Sequence, residues 1–348
     1  MPDTAYVLSH VSNLMIMDDH EIVDDWGQVP EDYDNTLERF IARRGYTVFR
    51  EYQAQLRLPS EAADASDTTA APPSAAGEVE RKREEVSPPT SDGRPAPTAG
   101  DDLVVPVQPR AEHLHLPALH PPSATGLLTL DARGKSFGQP RFPYHPDAGE
   151  PFPLLGSQQW DHIEASLAPD GSFKDVRVLL VVSAVPFAFM GRTLSEVLAK
   201  RMDDVNGHWA MRRHDTEMVK LLGVLHTWQK GRPSRQVVLL GGDVHIGGYT
   251  DLLYNGEVLF KQLISSPIAN ITPTRLQKLA IEIGGRVGTN LTADYSFRHS
   301  GWTNRVNFGL VRVQPSTDTS SRDDVELRLV AAPEPSVWER FTSWCSVL

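Results

Sequence analysis

The sequence predicts an α/β fold with a layered core, and three observations carry that expectation. Short runs of valine and leucine recur at residues 127–130, 176–182 and 237–240, the pattern of strands covered on both faces. Helical spacing recurs between them, at 158–167 and 212–228. Two apolar runs stop abruptly at clusters of acidic residues and histidine. Interleaved strands and helices of this kind bury their apolar faces by stacking in layers.

Along the chain, residues 14–17 form an apolar run that ends at acidic residues, which predicts a buried strand feeding a loop. Residues 36–58 have helical spacing, with Leu37, Phe40, Ile41, Phe49, Tyr52 and Leu56 on it. Gly45 is expected to divide that stretch into two helices. Residues 59–122 hold 12 of the 27 prolines, and no aromatic side chain occurs between Tyr52 and Phe137. A segment of that composition cannot bury enough apolar area to offset its ordering entropy, so it reads as a disordered insertion. Beyond it, residues 123–335 read as globular, and 336–348 as a tail. Within the globular part, a strand at 127–130 ends at Asp131, and Ser157 stands as N-cap of the helix that follows. Residues 249–253, 258–263, 306–313 and 325–330 read as further strands.

Charge and cysteine content restrict the function classes. The formal net charge is -11. That balance disfavours broad binding to nucleic acid, which rewards a basic face, and it suits divalent cations, whose ligands are carboxylates. The one cysteine, Cys345, allows no internal disulfide. No apolar run reaches 18 residues and the first residues lack a basic leader, so a cytoplasmic location is expected.

Two motifs bear the chemistry. The run at 14–17 leads into Asp18-Asp19-His20-Glu21, and the run at 237–240 into Gly241-Gly242-Asp243-Val244-His245. Open α/β sheets build sites just past the carboxyl ends of their strands. Carboxylate and imidazole together suit divalent metals, and a two-metal site activates a water and clamps an in-line phosphoryl displacement. On pattern alone, strand-end turns explain the two motifs equally well. His113, His115 and His120 read as a solvated proline-rich loop, with a weak metal-binding tract as the alternative, and His208, His214 and His226 as surface or helix-packing residues on or near a helix.

The stretch 13–27, NLMIMDDHEIVDDWG, resembles the alkaline phosphatase D (PhoD-like) family of metallophosphoesterases, whose hallmark is DDHE-x-x-D-x-W. Further segments resemble that family in order: the helix at 46–58, Asp131-x-Arg133, Leu155-Gly156 with Gln159-Trp160, Val181-Val182-Ser183 with Pro186, His208-Trp209 with Arg212 and Arg213, Gly242-Asp243-Val244-His245, and the closing strand 304–313. His208 replaces the family's usual Asp, and Gly241 its Ser. The resemblance implies a metallophosphoesterase-like layered β-sandwich flanked by helices, interrupted by the insertion. It implies two metal ions (Ca, Mn, Fe or Zn) and hydrolysis of phosphomonoesters or phosphodiesters. Asp19 would match the metal-bridging position, Asp243 and His245 would be ligands, and Asp18 would ligate or orient a ligand. His20 would stand beside the phosphate, stabilising charge or protonating the leaving oxygen. The family's first motifs, a strand ending in a ligand and then Gly-Asp-x-x-Tyr, precede DDHE and have no counterpart here. The resemblance therefore implies an N-terminally truncated domain, with a catalytically inactive binding module as the alternative.

The last four residues, Cys345-Ser346-Val347-Leu348, fit a prenylation box with the leucine that favours geranylgeranylation. Trp338, Phe341 and Trp344 lie upstream, where they could face a lipid surface. Ser346 is not aliphatic and no basic run precedes it, so an unmodified cysteine is the competing reading.

Overall fold

The structure is a computed structural model. It describes residues 15–16, 18, 22, 40–42, 44–45, 48–49, 115–120, 124–132, 153–198, 207–209, 211–265, 272–318 and 320–333, all within one compact unit.

The centre is a parallel array. Strands β2 (Thr125–Leu130), β3 (Val178–Ser183) and β4 (Gln236–Gly241) run parallel in register, and β6 (Glu257–Ile264) continues them. Strands β1 (His115–His120), β5 (Gly247–Tyr254) and β7 (Tyr295–Thr303) complete a seven-stranded sheet of order β1-β2-β3-β4-β6-β5-β7. The outer strands pair antiparallel. A two-stranded ribbon, β8 (Asn307–Gln314) and β9 (Asp324–Ala331), forms a second sheet.

Period-two alternation sends the central strands' side chains to two different cores. Leu128, Leu130, Leu179, Val181, Val237 and Leu239 meet helices α1 (Ser157–Leu167) and α3 (Asp215–Lys230). Leu127, Val178, Leu180 and Val238 meet Val311, Val313, Val325 and Leu327 of the ribbon. The layers are thus helices, sheet and ribbon. Helix α3 shows why it seats where it does: Met218, Leu221, Leu222, Leu225 and Trp228 make one buried stripe. Asp215 and Glu217 in its first turn and Lys230 in its last complement the helix dipole.

Buried side-chain clasps tie the layers. Glu217 accepts hydrogen bonds from the backbone N–H groups of Leu154 and Leu155 and, at 2.7 Å, from Trp160 Nε1. Gln229 accepts from Val237 N at 2.8 Å, which fixes the start of β4 against α3. Arg177, just before β3, pairs with Asp323 in the ribbon's turn.

The strands expected in the third zone are all present, each within a few residues of its expected limits. Other expectations need correction. Of the strand expected at 14–17, Met15 and Ile16 lie in neither helix nor strand, and residues 14 and 17 lie outside the described residues. Gly45 is itself helical, and residues 46–47, where a division into two helices would fall, lie outside the described residues. Gly156, not Ser157, is the N-cap of α1, with no side-chain cap bond. The segment 212–228 begins as a 3-10 turn, Arg212–His214, before the α-helix. The stretch read as an insertion ends in β1, which pairs with β2. Helix α2 (Arg192–Leu198), helix α4 (Arg275–Gly284) and β7 were not expected. For α4 a local signal exists, since Thr274 and Gln277 form a capping box. No helix among the described residues is long and apolar enough to cross a membrane.

Candidate functional site

The parallel strands end on one line. Leu130, Ser183, Gly241 and Ile264 are register partners across β2, β3, β4 and β6. The residues just beyond them therefore share one edge of the sheet. Asp131 follows β2 and is buried, and Gln159 holds its backbone at both ends, accepting from Asp131 N at 2.8 Å and donating to its carbonyl at 2.9 Å. Ser183 closes β3, and its Oγ accepts from Trp209 Nε1 at 3.2 Å.

The chain turns sharply after β4. Gly242 N–H donates to the Ala184 carbonyl and Ser265 N–H to the Gly241 carbonyl, so both sides of the turn are pinned to neighbouring strand ends. Val244 N–H donates to Gly242 O and His245 N–H to Asp243 O, each at 2.8 Å. Asp243 has φ 67° and His245 φ 54°. Two successive i to i+2 bonds with left-handed non-glycine residues make a tight and costly loop, of order 1 kcal/mol per such residue. The surrounding ladder enforces it. Gly241 cannot carry a side chain here, since a Cβ would approach Pro186 Cα to 2.8 Å. That contact accounts for glycine where the resemblance leads one to expect serine.

This turn brings Asp243 to His208. Asp243 Oδ2 and His208 Nε2 are 4.0 Å apart, and both side chains are nearly buried, at 12% and 6% exposure. His208 is held by its neighbours: Trp209 is fully buried and stacks on Phe187 at 5.6 Å, the His208 carbonyl accepts from Met211 N, and the Phe189 ring packs edge-on at 5.7 Å. The loop carrying Phe187 and Ala188 is in turn gripped by Gln262, which accepts from Phe187 N at 2.7 Å and donates to Ala188 O at 2.6 Å.

The expected site residues thus divide. Asp243 and His245 share the turn after β4, and Asp18 is half-buried with one carboxylate oxygen shielded from solvent. Asp19, His20 and Cys345 lie outside the described residues. His208, read from the sequence as a surface or helix-packing residue, is buried, packs against Phe189 and also stands 4.0 Å from Asp243. The signal that could have found it was there: it stands where the resemblance calls for Asp. Gln159 and Trp160, from another matching segment, serve the scaffold, not the chemistry.

Among the described residues no group of three or more His, Cys, Asp and Glu is placed to hold a metal ion. Asp243 and His208 do make a two-donor pair, one carboxylate and one imidazole. Their 4.0 Å separation exceeds hydrogen-bond reach. A carboxylate and an imidazole are cation donor types, but two donors do not make a site, and further ligands would have to come from other residues.

No family model matches the chain, and no curated protein sequence does. A solved structure described as "Structure of PhoD" is similar at 12% identity and a TM-score of 0.44. The alignment covers 94% of this chain and 58% of that one, so the chain spans under three-fifths of the protein it resembles. A likeness of that size carries no argument about function.

Proposed function

We propose that this chain is a metal-dependent phosphoesterase of the PhoD-like, layered metallophosphoesterase type, acting on phosphomonoesters or phosphodiesters. The observation that carries the reading is Asp243, presented on a strained turn beyond a central parallel strand and facing a buried imidazole at 4.0 Å. The ordered motifs of the sequence support it. Asp18, Asp19, Asp243 and His245 would hold the metal ions, and His20 would stand by the phosphate. Bound metal would supply Lewis acidity and a nucleophilic water. The chain's own part is to hold the Asp243 carboxylate in place through the pinned turn and to bury its surroundings. With an aryl phosphate and added Mn, Ca or Fe, the full chain is expected to hydrolyse the ester, and Asp243→Ala to lower kcat/KM by at least a hundredfold. Absent wild-type activity, or full activity in Asp243→Ala, defeats the proposal.

The competing reading is a non-catalytic binding module. The sequence feature behind it is the candidate prenylation box Cys345-Ser346-Val347-Leu348. Weak membrane association through a prenylated Cys345 belongs to that reading. Two tightly bound metals per chain would speak against it, and no mass gain at Cys345 with a prenyl donor and transferase would remove its lipid anchor.

A further inference from the structure

We propose that helix α4 is a membrane-docking element that lies flat on an anionic lipid surface through an outward apolar stripe. The inference is independent of the phosphoesterase reading. Leu276, Leu279, Ala280 and Ile283 stand at spacings that put them on one face of α4, and Val287 follows beyond the helix end. That face meets solvent: Leu276, Leu279, Ile283 and Val287 are between 50% and 77% exposed. A surface helix ordinarily turns such a stripe toward the core. Here a different side of the helix is the one fastened to the protein. Ile281 packs with Met190, Met211 and Ile264. Gly284 is buried so closely that a Cβ there would collide with Leu194, and its carbonyl accepts from Gly191 N at 3.2 Å. The Thr274–Gln277 capping box fixes the start of the helix. The stripe is therefore held outward by the packing behind it.

Charge around the stripe selects the partner. The chain has a net charge of -11, yet between Glu257 and Asp294 its one acidic residue, Glu282, stands against Lys261, Arg275, Lys278 and Arg286. Glu282 is itself paired with Lys278 at 3.0 Å. Arg275 and Arg286 are exposed toward the two ends of α4. Asn304 donates to the Pro273 carbonyl at 2.8 Å, which sets the exposed Arg305 beside the start of the helix. An aliphatic stripe bordered by arginine suits the headgroup boundary, where the apolar face enters the acyl region and the cations meet lipid anions. The stripe holds no aromatic anchor of the kind that dominates protein interfaces. A second copy would set the arginines of one stripe against those of the other. With 10 residues the helix is ~15 Å long, so it lies along a surface and does not span it.

The test is co-sedimentation of the full, unprenylated chain with vesicles of phosphatidylcholine alone and of phosphatidylcholine with about 30% phosphatidylserine. Wild type is expected to bind the anionic vesicles at least tenfold more tightly, and less so as added salt screens the arginines. Leu279→Glu and Ile283→Glu, both at exposed positions, should each weaken that binding at least tenfold, and Arg275→Gln about fivefold. Cys345→Ser should leave it unchanged, which separates α4 from the C-terminal box. Circular dichroism establishes that each variant is folded, and one folded variant of the stripe suffices. Wild type that ignores anionic vesicles overturns the proposal, as does full binding in a folded Leu279→Glu or Ile283→Glu chain. Self-association that Leu279→Glu abolishes, without vesicle binding by wild type, would assign the stripe to a second copy instead.

Discussion

At the residue scale, the most constrained side chains are those whose burial conflicts with their chemistry. His299 on β7 is such a case. Its Nδ1 and Thr250 Oγ1 are 2.6 Å apart, and its ring is enclosed by Phe297 and Trp302. Burial pushes its pKa down to about 4, with the Phe189 backbone opposing. The folded chain therefore holds His299 neutral, while the unfolded chain protonates it near 6.5. Between those two values the unfolded state binds more protons, so stability falls as pH drops from 6.5 toward 4 and this contribution levels off below. The full effect is on the order of 3 kcal/mol. Denaturant midpoints measured from pH 7 to 4 should show that slope, and His299→Gln should flatten it. An unchanged slope in the variant would place the acid sensitivity elsewhere. Asp243 and His245 conflict in another way, through left-handed backbone that a glycine would accept more readily.

At the element scale, the connections carry as much weight as the strands. Helix α3 reaches the loop before α1 through one carboxylate, Glu217, which satisfies two backbone N–H groups and the Trp160 indole. Truncating it strands three buried donors, each costing ~1–3 kcal/mol when unsatisfied. Glu217→Ala is expected to destabilise the chain by at least ~3 kcal/mol, well beyond a surface change such as Glu164→Ala on the same pair of helices. Equal melting temperatures for the two variants would show that the clasp contributes nothing. This clasp also positions the edge that bears the site, since Gln159 of α1 grips the backbone of Asp131. The element order is thus coupled: α3 seats α1, and α1 holds the end of β2.

At the scale of the whole molecule, two cores lie on opposite faces of one sheet and differ in depth. The helix-side core encloses fully buried residues such as Leu179, whereas the ribbon side closes with partly buried ones such as Leu327. Removing buried methylenes costs ~2–5 kcal/mol in a closed core and less where water already reaches. Leu179→Ala should therefore destabilise the chain by ~3–4 kcal/mol and Leu327→Ala by ~1–2 kcal/mol, read from urea midpoints. The reverse ranking would mean that the ribbon, not the helices, is the principal cover of the sheet. Site and scaffold meet where the parallel strands end in register, because aligned ends place Asp131, Ser183 and the Asp243 turn along one edge.

Much of this fold was legible in the residues. Valine-rich runs at β3 and β4 and the apolar stripe of α3 announce themselves because burial on both faces, or on one stripe, leaves a periodic trace. The motif Gly242-Asp243-Val244-His245 was likewise visible as a strand end rich in ligand types. Three-dimensional packing settled the rest. The strand order across the sheet, with β6 between β4 and β5, depends on contacts far apart in sequence that no local pattern encodes. So does the partnership of His208 and Asp243, which stand 35 residues apart and meet only because Trp209 locks onto Ser183 at the end of β3, beside the turn that follows β4. Local periodicity records which face of an element is dry, but the pairing of two polar groups is decided by how the elements stack.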